Sequence, residues 1–208
     1  MKTLKLFKTH SSNVMPKKQT DGSACFDLMF QGNGKRLYRG YTRMNKPFER
    51  IMNNQILIGP GERVMVPTGV IMDIPKGHSV RVHARSGMSL KQGLVLANAE
   101  GVIDSDYVEE VMVILHNISD NSQTIHTGDR IAQAELIKDE EYAIEESAVR
   151  PGVKTTRTGG MGSTGINTQS DTIIITIEQP KVKKSTAIKR EVSPVKRGPG
   201  RPKKESKA

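Results

Sequence analysis

Polar and apolar residues alternate in short runs along most of the chain, and this pattern predicts β-strands. Alternation is clearest in Thr3–Phe7, Arg63–Val66 and Ser79–His83. Successive side chains of a strand point to opposite faces, so such runs suit a sheet with one buried side. The full set of predicted strands is 3–7, 55–58, 63–66, 69–74, 79–83, 110–115, 123–125 and 131–137.

Turn residues separate these strands at short intervals. Examples are Gly59-Pro60-Gly61 and Pro75-Lys76-Gly77. Short strands with a turn about every eight to twelve residues are typical of a β-sandwich or jelly roll. We therefore predict an all-β fold. One short helix is expected near Met88–Lys91, with a weak helical pattern at 139–148.

Four segments depart from the strand pattern. Residues 31–54 form a basic insertion that interrupts the strand series, and residues 150–165 are predicted to form a mobile glycine-rich arm that ends a domain spanning 1–165. Residues 166–180 hold an extra β-like run, Thr172–Ile177, which would add an edge strand to the body or to a neighbouring subunit. Residues 181–208 are rich in Lys, Ser and Pro and are predicted to be a disordered tail.

The net charge of +10 is concentrated in that tail. Residues 180–208 contain eleven basic and two acidic side chains, whereas the preceding part of the chain is close to neutral. A smaller basic concentration lies at 31–54. This distribution indicates a globular body with an interaction tail.

The rest of the composition narrows the class of protein. With no Trp, 4 Phe and 4 Tyr, the core must be built mainly from aliphatic residues and Met. The single cysteine, Cys25, excludes an internal disulfide and fits a reducing compartment. The N-terminus lacks the apolar core of a signal peptide, and no run approaches the ~18 apolar residues of a membrane span. We expect a soluble intracellular protein of the cytoplasm, with the nucleus or a virus- or phage-infected cell as alternatives.

The segment Arg85-Ser86-Gly87 has the residue types that bind phosphate. Arginine offers a planar set of donors that matches phosphate oxygens. Ser86 and Gly87 offer a hydroxyl and backbone N–H groups at the start of a short helical turn, where anions are favoured. The alternative is an exposed turn, because the triplet is common.

A candidate general base follows in the segment Gly101–Tyr107. Asp104 comes after Val102 and Ile103, and a carboxylate beside an apolar wall can take a proton from water. The alternative is an Asx-turn that closes a hairpin, which suits Asp106 better. Tyr107 is either a core residue or a ring that packs against a sugar.

Two further segments could contact phosphate. Residues 157–165 bracket Met161 with four glycines, so backbone N–H groups can converge on an anion beside Arg157. The alternative is a flexible linker. In Gly128–Gln133, a turn followed by a strand would point the Gln133 amide at the site, unless it is a surface glutamine.

These segments have a familiar order, and residues 3–165 resemble the trimeric dUTPases, the deoxyuridine triphosphate nucleotidohydrolases. Each segment alone would be weak evidence, but five in order at family-like spacing are specific. The five motifs are Gly22–Leu28, Arg85–Met88, Asn98–Tyr107, Gly128–Gln133 and Arg157–Gly165.

The resemblance implies a jelly-roll-like homotrimer with active sites at subunit interfaces. It implies hydrolysis of dUTP to dUMP and pyrophosphate, with Mg²⁺ on the triphosphate. Asp104 would activate the attacking water, Asn98 and the 98–107 backbone including Gly101 would contact uracil, and Tyr107 would exclude a 2′-hydroxyl. Asp27 would support the metal indirectly, through water.

The resemblance also assigns the phosphate contacts. Arg85, Ser86, Gly87 and Gln133 would hold phosphate oxygens. The remaining contacts would come from an arm that closes over the triphosphate and carries Arg157, Met161, Gly162, Ser163 and Thr164.

Four features depart from the family pattern. Met161 stands where the family usually has a Phe over the uracil, and a Met can cover the ring less rigidly. Val108-Glu109 replaces a usual Arg-Gly, and Cys25 replaces a usual glycine. The 31–54 insertion is atypical as well.

Two other functions stay open. A sister family deaminates dCTP with a glutamate at the position that is Ile114 here, which argues against deamination. A catalytically weak nucleotide-sensing or DNA-binding regulatory protein is the non-enzymatic alternative.

The tail has a pattern of its own, because Lys196–Lys204 resembles an AT-hook for A·T-rich DNA. Arginine in such a core lies in the narrow minor groove, where the negative potential is enhanced. The alternatives are a tail that binds any polyanion and a nuclear localisation signal. The predicted DNA contacts are Lys196, Arg197, Gly200, Arg201, Pro202 and Lys203.

Overall fold

Strands make up most of the regular structure in residues 2–156, which are the part of the chain that the computed structural model describes. The strands are β1 Lys5–Lys8, β2 Phe26–Met29, β3 Lys35–Tyr41, β4 Pro47–Asn53, β5 Gln55–Ile58, β6 Arg63–Pro67, β7 Val70–Asp73, β8 His78–His83, β9 Leu94–Leu96, β10 Gly101–Ile103, β11 Met112–Asn117, β12 Gln123–His126 and β13 Arg130–Lys138; the helix α1 is Ser86–Gln92. All of these elements lie in the compact unit Met1–Glu146. The predicted all-β class is confirmed.

Two larger sheets and two strand pairs organise these elements. A four-stranded sheet has the order β10-β8-β13-β2, and a five-stranded sheet has the order β4-β3-β6-β11-β9. The pairs are β1 with β7 and β12 with β5. The strand pairings between these elements are antiparallel.

The core lies under these sheets and is built from aliphatic residues, Met and few aromatic rings. Leu28 comes from the first motif, Phe30 directly follows β2, and Val80 and Ile131 come from the central strands of the four-stranded sheet; each is at most 1% exposed. Because β13 is paired on both sides, its Ile131, Ala132 and Ala134 are almost fully buried.

The predicted strands were found with shifts of a few residues at their ends. The sequence pattern missed three short strands, β2, β9 and β10, of three or four residues each. Helix α1 extends beyond the predicted Met88–Lys91 and ends at Gly93, which adopts a left-handed conformation with φ of 64°. The weak helical prediction at 139–148 was wrong, since that segment has no helix. In the described residues, no helix is long and apolar enough to cross a bilayer.

The prediction that 31–54 interrupts the strand series was also wrong. Residues in this segment form the hairpin β3–β4, which joins the five-stranded sheet through the pairs Gly40↔Val64 and Tyr41↔Arg63. Tyr38 and Met52 are 4% and 1% exposed, so the hairpin contributes to the core. The strand pattern was obscured because basic residues occur on both faces of the hairpin, with Arg36 and Arg50 on the same face as Tyr38 and Met52. Gly40 permits the close approach, because a Cβ there would lie 2.5 Å from the Arg63 carbonyl oxygen.

An ion pair attaches this hairpin to the loop before β6. The guanidinium of Arg50 donates two hydrogen bonds to Glu62, at 2.8 and 2.6 Å, and also lies over the Phe48 ring. Glu62 is 8% exposed and accepts a third hydrogen bond, from Gly59 N–H. Burial alone would raise the pKa of Glu62, but the Arg50 hydrogen bonds and charge and the Gly59 N–H together lower it below its ordinary value of 4.5.

Because the folded state lowers this pKa, the ionised Glu62 stabilises the protein at pH values above the ordinary glutamate range. That contribution is lost as the pH falls through the lowered pKa of the folded state. We predict that Glu62→Gln lowers the free energy of unfolding at pH 7 by about 1–3 kcal/mol, as expected for hydrogen bonds to a charged group. The difference from the wild type should shrink in acid, which urea titrations at several pH values would measure.

Glu49→Gln is the matched control for this prediction. Glu49 pairs with Arg39 at 2.7 Å, but the two side chains are 49% and 76% exposed. An exposed pair contributes about 0–1 kcal/mol. Equal losses for the two variants would contradict the role given to the Arg50–Glu62 pair.

Candidate active site

Strand β8 leads directly into helix α1 through Arg85. Arg85 is the residue before the first helical turn and has an extended backbone, with φ of −92° and ψ of 126°. Ser86 and Gly87 follow in the first turn and are exposed. The first N–H groups of a helix have no partner within the helix, so this turn presents donors to solvent beside a guanidinium.

Two arginines hold the carboxylate of Asp27. Asp27 Oδ1 lies 3.0 Å from Arg85 Nε, and Oδ2 lies 3.1 Å from Arg130 Nη1. Arg85 Nη1 also donates to the Arg130 carbonyl oxygen at 2.9 Å. The three side chains meet because β13 pairs with β2 on one side and with β8 on the other. We call Asp27, Arg85 and Arg130 the arginine clamp.

Gln133 lies on β13 between the same two strands, β2 and β8, three residues after Arg130. It lies opposite both Asp27 and His83 in the sheet. Its Nε2 donates to the carbonyl oxygen of Ala84 at 3.0 Å, directly before Arg85. Gln133 is thus half-buried beside the clamp and fixes the backbone that carries Arg85.

A cavity of about 230 Å³ lies at the hairpin that contains β10. It brings together Asn98, Gly101, Asp104 and Tyr107. Its apolar walls come from β8, β9, β11 and the residue before β11, and include Val82, Leu96, Val111, Val113 and Ile114. Such a mixture of apolar walls and a few polar groups is typical of a small-molecule site.

The local backbone explains the shape of this cavity. Ala99 has a positive φ of 59°, which turns the chain from β9 into β10. A Cβ on Gly101 would lie 3.0 Å from Val82 Cβ and 3.6 Å from Asn98 Nδ2. Glycine at 101 therefore keeps the space between Asn98 and β8 open.

Asp104 and Tyr107 are joined by a tight turn after β10. The Tyr107 N–H donates to the Asp104 carbonyl oxygen at 3.2 Å, and the Asp104 side chain is exposed. The Tyr107 hydroxyl donates to the Glu110 carbonyl oxygen at 3.0 Å, which fixes the ring at the cavity wall. Tyr107 is 40% exposed, so it is not a core residue.

The clamp and the cavity carboxylate lie at opposite ends of β8. In the β10–β8 pairing, Ile103 is opposite Val80, so Asp104 lies near the start of β8, whereas Arg85 follows its end. Five to six residues of strand correspond to about 20 Å. A single chain therefore does not bring Asp104 to Arg85, Ser86 and Gly87, the predicted phosphate contacts.

A family model for dUTPase matches residues 51–165. The chain belongs to the dUTPase family. A deoxyuridine 5'-triphosphate nucleotidohydrolase from Finegoldia magna is 39% identical over 156 residues, which cover 74% of this chain and 94% of that protein.

Solved structures agree with the dUTPase fold. A Staphylococcus bacteriophage 80alpha dUTPase with dUPNHPP covers 80% of this chain and all of that one, with a TM-score of 0.62 at 20% identity. A mutant dUTPase from phage phi11 of S. aureus, described with a coordinated structural Mg(II) ion, has a TM-score of 0.57 at 17% identity and covers 73% of this chain. At these identities the likeness supports the fold.

Several predicted site residues of this dUTPase-family chain lie outside the described residues. They are Arg157, Met161, Gly162, Ser163 and Thr164 of the arm, the β-like run at 172–177, and the tail contacts Lys196, Arg197, Gly200, Arg201, Pro202 and Lys203.

The surroundings of Asp27 bear on how this dUTPase-family site would hold Mg²⁺. Mg²⁺ prefers oxygen ligands and keeps several waters. Both Asp27 oxygens already accept from guanidiniums, and the carboxylate is mostly buried. Asp27 therefore fits a supporting contact through metal-bound water rather than direct ligation.

Sequence reasoning assigned no role to Arg130, although this residue belongs to the fourth motif. Its importance depends on the pairing of β13 with β2, which brings it to Asp27. The cavity walls from β11 were missed for the same reason, because they are distant in sequence from the 98–107 hairpin. The sequence signal that could have identified Arg130 is its position as a basic residue directly after Gly128-Asp129.

Cys25 lies close to the clamp, two residues before Asp27. Burial and the nearby Glu135 carboxylate raise the pKa of its thiol above the ordinary value of 9.0. A thiol in this state is mostly protonated at neutral pH, so Cys25 lacks the character of a catalytic nucleophile.

Proposed function

We propose that this protein hydrolyses dUTP to dUMP and pyrophosphate, which limits uracil incorporation into DNA and supplies dUMP. The observation that carries the proposal is the cavity that gathers Asn98, Asp104 and Tyr107 in a member of the dUTPase family. The arginine clamp supplies the other half of the proposed site, a surface that binds the phosphates.

Asp104 acts as the general base. It orients a water molecule and takes its proton as the water oxygen bonds to the α-phosphorus. The bond from that phosphorus to the oxygen bridging to the β-phosphate breaks, and pyrophosphate leaves. The exposed Asp104 side chain at the cavity mouth is accessible to such a water.

The hairpin that contains β10 selects the base. The Asn98 amide and the backbone around Gly101 line a cavity of about 230 Å³, which is large enough for a pyrimidine base. Donors and acceptors that match the uracil edge would be left unpaired by cytosine, which costs about 1–3 kcal/mol for each buried group.

Tyr107 selects the sugar. Its hydroxyl is held by the Glu110 carbonyl, so the ring is a fixed wall rather than a mobile cover. Packed against a deoxyribose, such a wall leaves no room for a 2′-hydroxyl, and UTP is excluded.

The triphosphate binds at the end of β8 that carries the arginine clamp. Arg85, the N–H groups of Ser86 and Gly87, and the Gln133 amide contact phosphate oxygens, and Asp27 and Arg130 position Arg85. Such preorganised donors neutralise charge that develops during phosphoryl transfer. Arg157, Met161, Gly162, Ser163 and Thr164 of the arm complete the site over the nucleotide.

Asp27 would help to hold a triphosphate-bound Mg²⁺ through metal-bound water, and the ion would supply neutralisation of phosphate charge. The clamp arginines hold this carboxylate in place.

The active form is a homotrimer with sites between subunits. The separation of about 20 Å along β8 between Asp104 and Arg85 supports this assembly, because another chain must supply one half of each site. A cyclic trimer repeats the same interface three times and forms three equivalent sites.

The first test is a substrate panel of dUTP, dCTP, dTTP and UTP. We expect the wild type to release pyrophosphate from dUTP alone, and Asp104→Asn to lose about 10²–10⁴-fold in kcat because the general base is removed. Asp106→Asn, an exposed neighbour in the same turn, is the matched control and should keep near wild-type turnover. Tight dUTP binding without turnover by the wild type would instead favour a nucleotide-sensing protein.

The second test asks whether the halves of the site come from different chains. Arg85→Ala and Asp104→Asn should each be inactive, whereas trimers assembled from an equal mixture should recover about a quarter of wild-type activity, because each mixed trimer contains one intact site. Refolding the two variants together and measuring pyrophosphate release checks this.

A mixture of Asp104→Asn with Asp104→Ala is the control and should stay inactive. Absence of recovery by the first mixture, with mixed trimers demonstrated by mass, would show that each chain forms its own complete site.

We further propose that the basic tail tethers the enzyme to A·T-rich DNA through Gly200-Arg201-Pro202. The eleven basic residues of 180–208 support electrostatic binding, and three tails in a trimer would act together.

Deletion of 181–208 should abolish retention on an A·T-rich duplex at moderate salt. Arg201→Ala should weaken this binding more than Lys184→Ala, which removes the same charge outside the core. Equal weakening, or equal retention on G·C-rich DNA, would identify a general polyanion-binding tail.

A further inference from the structure

A group of three different metal-binding side chains lies on one face of the four-stranded sheet. The ligand atoms of Cys25, His83 and Glu135 all lie within 4.8 Å of one another. Each residue is partly buried rather than fully exposed. Their chemistry, a thiol, an imidazole and a carboxylate, differs from that of a solvated acidic cluster.

The strand register explains why the three side chains meet. Ala134 is opposite Phe26, so Glu135 and Cys25 are neighbours across the β13–β2 pair. Gln133 is opposite His83, so Glu135 is one same-face step from His83 across the β13–β8 pair. Side chains two residues apart on a strand share a face, which places all three ligands together.

The spacing suits tetrahedral coordination. Zinc bonds of about 2.0–2.3 Å to nitrogen, oxygen and sulfur imply ligand atoms roughly 3.3–3.6 Å apart. His83 Nε2 lies 3.1 Å from Glu135 Oε1. Small side-chain rotations would open this contact and bring the Cys25 sulfur into the same sphere.

A second carboxylate orients the imidazole. Glu100 Oε1 lies 3.5 Å from His83 Nδ1, and Glu100 Oε2 lies 3.8 Å from Arg81 Nη1. A histidine that ligates a metal commonly gives its other ring nitrogen to a carboxylate, which fixes the tautomer and the ring direction. Glu100 thus leaves His83 Nε2 for the ion.

We propose that Cys25, His83 and Glu135 bind one zinc-type transition-metal ion, at a site distinct from the Mg²⁺ of the nucleotide. Thiolate and imidazole ligands select such ions over Mg²⁺, which prefers oxygen. Three protein ligands leave the fourth position for water or a small anion.

Cobalt(II) added to the full-length, nucleotide-free protein provides a specific probe. Cobalt bound by a thiolate gives a charge-transfer absorption band in the near ultraviolet, and Cys25 is the chain's one cysteine. We expect this band at one equivalent of cobalt, its displacement by zinc, and its persistence in excess Mg²⁺.

Substitutions within the cluster distinguish metal binding at this site from incidental metal binding elsewhere on the protein. Cys25→Ser should remove the band, and His83→Gln should weaken zinc binding in calorimetry by about 100-fold or more. His78→Gln, on the same strand but outside the cluster, is the matched control and should bind as the wild type does. Near-ultraviolet circular dichroism of the metal-free variants checks that they fold, with Cys25→Ala as a second variant at the thiol.

The proposal would be overturned by cobalt binding without the charge-transfer band, by no binding, or by unchanged zinc affinity in Cys25→Ser or Cys25→Ala. Since the readouts are absorption and binding of the free protein, they do not depend on dUTP hydrolysis. Failure of the metal site and failure of the proposed enzyme function are therefore distinguishable.

Discussion

The double pairing of β13 is the constraint on which the rest of the structure depends. One of its edges bonds to β8 and the other to β2, so residues from three distant parts of the sequence share a face. This pairing brings Asp27, Arg85 and Arg130 together, and it does the same for Cys25, His83 and Glu135. A one-residue slip of β13 would turn its side chains to the opposite face and separate both groups.

One face of the four-stranded sheet carries two groups of side chains with different chemistry, the arginine clamp and the proposed metal ligands. Asp27 and Cys25 are two residues apart and point to the same side, yet one lies between two guanidiniums and the other beside an imidazole and a carboxylate. Positive charge surrounds the first, and metal-binding groups surround the second. The buried aliphatic face of the strands supports both, since Ile131, Ala132 and Ala134 hold β13 in place.

The sequence predicted the local elements of the fold well and their long-range pairing poorly. Alternating runs such as Arg63–Val66 and Ser79–His83 identified strands because half of each strand faces the core. Strands β9 and β10, with three residues each, are too short for periodicity to show. The hairpin β3–β4 was hidden because arginines occur on both of its faces, and Arg36 and Arg50 share the inward face with the buried Tyr38 and Met52. The motif residues Asn98, Asp104 and Tyr107 were predicted as one group because they are neighbours in sequence. Arg130 was not, because its contact with Asp27 spans 103 positions.

The antiparallel β10–β8 register has a genetic consequence. In the proposed trimer each chain contributes Arg85 to one site and Asp104 to another, so a chain defective at both ends would inactivate two of the three sites of a trimer that it joins. Produced in equal amount with a normal chain, it would leave about a quarter of full activity, whereas a chain too unstable to assemble would leave about a half. The direction of a single strand pair therefore sets how strongly a defective chain interferes with a normal one.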